Sequence, residues 1–152
     1  VRVKTITNQN WEPKRFRGNI VASNSQYLAY VLASRSGYVI RLIHLQTNDR
    51  ALLKKFNGEI LDISFAHNHS NLLGVIDEAG NLYVYDIDKT NGDINKINDC
   101  LKLHIFNGVI PDGKTHLLVW APYIQTQQDN GDDDNVMIAV SHDSRVIDCI
   151  SN

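Results

Sequence analysis

The chain has 152 residues, of which 43% are hydrophobic and 21% charged, with a formal net charge of -2. That is room for one domain with a sizeable core, at a composition ordinary for globular domains. The near-neutral balance excludes a global electrostatic pull toward nucleic acid, though not a local basic patch, and no apolar run approaches the roughly 20 residues needed to span a bilayer.

Val1-Arg2-Val3-Lys4-Thr5-Ile6 has neither the apolar region of a signal peptide nor an initiating Met. The chain therefore reads as a piece of something longer. Cys100 and Cys149 are far apart and have no metal-ligand spacing. Free cytosolic thiols are the expectation, with a disulfide in a secreted protein as the alternative.

Taken in order, the chain is a succession of strand-like runs with almost no helical periodicity. Val1–Ile6 alternates apolar and polar residues. Ile20–Ala22 and Tyr27–Ala33 are joined by Ser23-Asn24-Ser25, and Tyr38–Leu45 and Ala51–Phe56 by Gln46-Thr47-Asn48-Asp49. β-Branched and aromatic residues bounded by Asn, Gly, Asp and Ser are the pattern of strands connected by tight turns. The plan then repeats. Ile60–Phe65 is followed by Leu72–Ile76, whose unbroken apolar run suits a strand buried on both faces. Asp77-Glu78-Ala79-Gly80-Asn81 is a turn in which Gly80 can take a positive φ. Leu82–Ile87 and Leu101–Phe106 complete the set. A third copy begins at His116–Trp120 and continues through the polar loop Gln125–Asn135 to Val136–Val140. A turn at Ser141–Ser144 leads to Arg145–Ile150.

The copies align. Asn57-Gly58 through Ala66-His67 answers Lys114-Thr115-His116 through Ala121-Pro122, and Leu82–Ile87 answers Ile40–Leu45. Like positions recur at roughly 40 residues, the period of four-stranded propeller blades. Tyr85-Asp86 stands where a Trp-Asp pair closes the third strand of a WD repeat, with Ile43-His44 a weaker version. A bulky residue there fills the gap to the neighbouring blade, since no blade buries both faces alone.

The expected fold is therefore all-β, a WD-repeat-type β-propeller, incomplete, with two blades and most of a third. A generic antiparallel sandwich is the alternative. The division expected is a basic lead-in over 1–17, blades over 18–56 and 57–106, and a partial blade over 114–152. Gly58, His67, Asp77, Gly80, Tyr85 and Asp86 are expected to hold blade geometry. Three units form an open arc, so the two end faces should expose apolar surface.

Catalytic patterns are absent from the sequence: there is no Gly-rich phosphate loop, nucleophile elbow or His-Glu-x-x-His. His67 and His69 lie two apart with no third ligand at a recognised spacing, and they fall between the first two strands of a blade. Asp77-Glu78 are paired carboxylates placed to cap a turn rather than to exchange protons. Asp62, in the middle of an apolar strand, should face solvent or bond to backbone, and a structural role is expected of it. Asp129 and Asp132-Asp133-Asp134 lack EF-hand spacing and read as a solvated loop. Arg2, Lys4, Lys14, Arg15 and Arg17, interleaved with Trp11 and Phe16, make the N-terminus basic and aromatic. That combination serves contact with single-stranded RNA or equally with a protein partner. No catalytic residue, metal or cofactor is expected.

Two stretches go beyond pattern. One is Gly18-Asn19-Ile20-Val21-Ala22-Ser23-Asn24-Ser25 with Tyr27-Leu28-Ala29-Tyr30. The other runs from Leu52-Leu53-Lys54-Lys55-Phe56-Asn57-Gly58 through Phe65-Ala66-His67 to Asp77-Glu78-Ala79-Gly80-Asn81-Leu82-Tyr83-Val84-Tyr85. From about Trp11 to its end the chain resembles the N-terminal WD-repeat domain of the enhancer-of-mRNA-decapping scaffold family, also called Hedls. The resemblance implies a large cytoplasmic protein of mRNA processing bodies, with a ring of about seven blades followed by a Ser-rich linker and a helical C-terminal region. It implies a non-catalytic scaffold that promotes decapping by bringing the mRNA-decapping enzyme and its activators together, without a membrane partner. It also implies oligomerisation of the full-length protein through the C-terminal region. The third copy departs from the pattern: it ends in Asp148-Cys149-Ile150 rather than near Trp-Asp, and the Gln125–Asn135 loop has no counterpart.

Overall fold

A computed structural model describes Thr5 and residues 18–67, 69–87, 100–105, 116–121, 137–142 and 146–151, with residues 142 and 146–151 described as backbone. Eleven strands are present among the described residues, and no α-helix. β1 (Val21–Ser23), β2 (Tyr27–Ser34), β3 (Gly37–His44) and β4 (Arg50–Leu53) form one antiparallel sheet in sequential order. β5 (Ile60–Phe65), β6 (Leu72–Asp77), β7 (Leu82–Asp86) and β8 (Leu101–Ile105) form a second. β9 (His116–Trp120), β10 (Met137–His142) and β11 (Val146–Ser151) form a third. Sequential antiparallel order is what short turns dictate, because a two-residue connection cannot carry the chain over a neighbour.

The sheets meet through their first strands. β1 lies beside β5 and β5 beside β9. The Ile63 N–H donates to the Asn19 carbonyl at 2.9 Å, tying the entry of the first sheet to the first strand of the second. First strands gathered side by side, each leading outward through its own meander, are the arrangement of blades around a propeller axis.

Alternation along the strands sorts the core into two layers. Ala29, Val31, Ile40, Leu42, Ala51 and Leu53 of the first sheet pack against Ile63, Phe65, Leu73, Val75, Tyr83, Tyr85 and Ile87 of the second. The opposite face of the second sheet, with Ile76, Leu82 and Val84, packs against Leu118, Trp120, Ile138 and Val140 of the third. The second sheet is thus covered on both sides, which is why β6 is an unbroken apolar run. Burying one such Leu or Ile side chain stabilises the fold by about 1.5–3 kcal/mol, so each layer holds only because its neighbour supplies the other wall. The third sheet's outward face is open, with Val119 64% exposed and Met137 43% exposed.

Two details of the strands depart from the sequence expectation. The run Ala51–Phe56 stops as a strand at Leu53, because Lys55 adopts φ 74° and turns the chain. Ser141 and His142, expected in a turn, extend β10 and pair with Ile147 and Val146. Val1–Ile6, apart from Thr5, and the Gln125–Asn135 loop lie outside the described residues.

Gly74 marks a close approach between the second and third sheets. A Cβ there would lie 3.0 Å from Trp120 and 3.2 Å from Ile138, while the Trp120 Nε1–H donates to the Ser64 carbonyl at 3.0 Å. Gly74→Val is expected to destabilise the chain by about 1–3 kcal/mol, because an overpacked layer must part or strain. The urea midpoint followed by tryptophan fluorescence measures it; an unchanged midpoint would show that the layer has room to spare.

Candidate functional site

The polar groups buried between the sheets are the places where chemistry could reside. Asp77 ends β6 and is fully buried. Its Oδ1 accepts the N–H groups of Ala79 and Asn81 at 3.1 and 3.0 Å. Its Oδ2 accepts the Asn57 N–H, the Asn81 side-chain amide and the Tyr83 hydroxyl at 3.1, 3.1 and 3.0 Å. The Gly80 N–H returns to the Asp77 carbonyl at 2.9 Å, with Gly80 at φ 76°. One carboxylate therefore closes the β6–β7 turn and also ties it to the β4–β5 connection through Asn57. Gly58, at φ 99°, lies under that turn: a Cβ there would collide with the Glu78 carboxylate.

An aromatic group extends from this hub. Phe56 meets Tyr83 edge-on at 5.2 Å and Tyr85 at 6.4 Å, and His104 of β8 stacks on Tyr83 at 4.4 Å. Burial, and the Asp77 carboxylate to which it donates, push the Tyr83 phenol above its ordinary range. Burial alone pushes Tyr85 up to about 12.

Asp62 is a second buried carboxylate, 2% exposed, on β5. A β-bulge between Ile60 and Asp62 shifts the register there. The extra residue lets Ile60 join the layer of Ile63 and Phe65, and leaves Asp62 to reach the flanking first strands. Asp62 Oδ1 accepts the Asn19 N–H at 2.8 Å and its side-chain amide at 3.3 Å, and Oδ2 accepts the Leu118 N–H at 3.0 Å. Gly18 leaves the space required: a Cβ there would collide with the Leu61 carbonyl and the Asp62 side chain. One carboxylate thus joins the inner edges of three successive sheets. Burial raises its pKa, opposed by the N–H groups of Leu118 and Asn19, which favour the charged form.

A third polar group joins the β1–β2 and β5–β6 turns. The Asn24 side-chain amide donates to the Ser70 carbonyl at 2.7 Å and to Asn71 Oδ1 at 2.9 Å, and Asn71 donates to Gln26 at 3.1 Å. Asn24 Oδ1 also accepts the N–H groups of Gln26 and Tyr27, closing its own turn.

Both buried carboxylates are thus engaged by N–H or O–H donors and shut off from water, which suits clamps and not proton shuttles. Among the described residues no three His, Cys, Asp or Glu side chains converge as a metal site. His67 and His69 sit in the β5–β6 turn. Tyr85 and Asp86 end β7: Tyr85 is buried against the first sheet, and the Asp86 N–H donates to the Cys100 carbonyl at 2.8 Å. Cys100 is buried. Arg2, Lys4, Trp11, Lys14, Arg15 and Arg17 lie outside the described residues, as do Asp129 and Asp132-Asp133-Asp134. Sequence reasoning missed the triple reach of Asp62 and the Asn24 group. The signal for the first was the one acidic residue in Ile-Leu-Asp-Ile-Ser-Phe; the second had none, since Asn in a turn is commonplace.

Meandering sheets joined at their first strands, with buried carboxylates bonded to turn and strand backbone, define a WD-repeat-type β-propeller segment, here an incomplete ring. The chain belongs to the family described as the WD40 region of Ge1, enhancer of mRNA-decapping protein, whose model matches residues 1–150. It is 33% identical over 148 residues to enhancer of mRNA-decapping protein 4 of Danio rerio, and 32% identical over 152 residues to that of Homo sapiens, in each case across 95% of the chain. The homolog of Drosophila melanogaster is 29% identical over 160 residues. The chain spans 10% of the length of the first two relatives and 12% of the third. No solved structure matches it.

Proposed function

We propose that this chain is part of a non-catalytic propeller platform in cytoplasmic mRNA decay, located in processing bodies. In this role it promotes decapping by helping to bring the decapping enzyme together with its activators, within a full-length protein that oligomerises through its C-terminal region. The observation that carries the reading is the family match over residues 1–150, with relatives named as enhancers of decapping. The saturation of Asp62 and Asp77 by hydrogen-bond donors supports a binding role over a catalytic one. The proposal takes blades over 18–56 and 57–106 and a partial blade over 114–152, led in by 1–17. Gly58, His67, Asp77, Gly80, Tyr85 and Asp86 serve blade geometry, and neither metal nor cofactor is required. Arg2, Lys4, Trp11, Lys14, Arg15 and Arg17 are assigned to contact with RNA or a protein partner.

Affinity capture of the full-length protein, with and without this segment and with RNase treatment, tests the platform. Decapping factors are expected to be lost when the segment is deleted and retained after RNase. Loss on RNase treatment alone would instead mean that RNA bridges them, through contacts such as the basic N-terminus.

A further inference from the structure

Asn57-Gly58 stands in the β4–β5 connection, where the first sheet hands over to the second. The chain has other Asn-Gly steps, at Asn91, Asn107 and Asn130, and these lie outside the described residues. Asparagine is chemically labile where the next main-chain nitrogen can reach its side-chain carbonyl. Glycine leaves that approach open because it has no Cβ.

The surroundings of this step permit the reaction. Asn57 is exposed, although the two sheets it joins pack face to face. Among the described residues, neither its side-chain amide nor the Gly58 N–H has a hydrogen-bond partner. The peptide between them is therefore unheld, while the span around it is pinned at both ends. The Asn57 N–H donates to Asp77 at 3.1 Å, and the Glu59 carbonyl accepts the Glu78 N–H at 2.8 Å. The glycine is also a requirement of the fold: Gly58 has φ 99°, and a Cβ there would collide with the Glu78 carboxylate.

We infer that Asn57 is a site of spontaneous deamidation in the folded chain, and that its isoaspartyl product loosens the joint between the first two sheets. The Gly58 nitrogen loses its proton and bonds to Asn57 Cγ. The bond from Cγ to the amide nitrogen breaks, and that nitrogen leaves as ammonia with the proton. Water then opens the five-membered succinimide at either carbonyl, giving aspartate or isoaspartate. Isoaspartate carries the main chain through Cβ, so one more carbon enters a span fixed at both ends. The Asn57 N–H and Gly58 cannot then both keep their places beside Asp77 and Glu78. Aspartate keeps the original path and adds only an exposed, screened charge. The inference does not depend on what the platform binds.

The test incubates the full chain at neutral and mildly alkaline pH, folded and in urea, and follows conversion by mass spectrometry. Trypsin releases Asn57 in peptide 56–89, where it makes the only Asn-Gly step. An exposed bend costs little to open, so the folded rate is expected within about tenfold of the unfolded rate. It should rise with pH, because the attacking nitrogen must lose its proton. Stronger suppression by folding, or a rate indifferent to pH, overturns the inference. The structural consequence is read by amide hydrogen exchange at Asn57, Ala79 and Asn81, whose N–H groups share Asp77. Exchange is expected to quicken in the aged chain. It should be unchanged in fresh Asn57→Asp and in Asn57→Gln aged in parallel, which retains every other Asn-Gly step. Unchanged exchange in a chain that has accumulated isoaspartate at 57, or equal quickening in aged Asn57→Gln, overturns the loosening of the joint.

Discussion

Asp77→Ala is expected to lower the stability of the chain by about 4 kcal/mol, enough to reduce its melting temperature by roughly 10 °C. Five donors lose their acceptor at once, and those on Asn81 and Tyr83 are buried. Relief of the buried charge offsets part of the loss. The effect should extend beyond the β6–β7 turn, because the Asn57 N–H ties the same carboxylate to the connection between the first two sheets. Thermal and urea unfolding measure the magnitude. A loss under about 1 kcal/mol would mean that the turn closes without its carboxylate.

Tyr83 gives the same hub a pH signature. Its hydroxyl must stay protonated to donate to Asp77, and its folded-state pKa lies above the ordinary phenol value of 10.0. The contribution of this bond is therefore complete below that value and is lost as pH rises beyond it. Tyr83→Phe should flatten the alkaline decline in stability, leaving the part that comes from Tyr85, whose pKa is about 12. An identical decline in the variant would assign it elsewhere.

Asp62→Ala is expected to cost about 3 kcal/mol, by stranding the N–H groups of Asn19, at the entry of the first sheet, and Leu118, in the third. Asp62→Asn should cost roughly half as much, because an amide oxygen can accept from one of them while its NH2 group confronts the other. The distinguishing readout is amide hydrogen exchange at Asn19 and Leu118, which should quicken together although nearly a hundred residues separate them. Gly18→Ala provides an independent route, since its Cβ collides with the Asp62 side chain. Quickened exchange at one site alone would show that the carboxylate serves that neighbour only. The titration of Asp62 runs opposite to that of a salt-bridged acid. Burial raises its folded value above 3.8, so the native chain takes up a proton first, and this group adds stability as pH falls toward 3.8. Asp62→Asn removes that contribution.

Much of this architecture can be read from local pattern. The apolar runs Tyr27–Ala33 and Leu72–Ile76 and the turn at Asp77–Asn81 each report an environment their own neighbours create. The copies align for the same reason: equivalent strands face equivalent walls. Tyr85 and Asp86 end the third strand of their sheet, at the level where Ile43 and His44 end theirs. The end of β4 was less legible, because a left-handed Lys55 leaves no mark in composition.

What the sequence by itself determined is the inventory: strands, their order, their turns, the repeat, and a set of motifs specific enough to place the family. Those follow from interactions spanning a few residues, for which spacing is an adequate proxy for distance. Only the tertiary structure decided which polar groups hold the sheets together. Asp62 reaches Asn19 and Leu118, and Asn24 reaches Ser70 and Asn71, because a bulge and a turn bring distant backbone within 3 Å. A hydrogen bond depends on position to a fraction of an ångström, and no spacing along the chain encodes that across 40 or more residues.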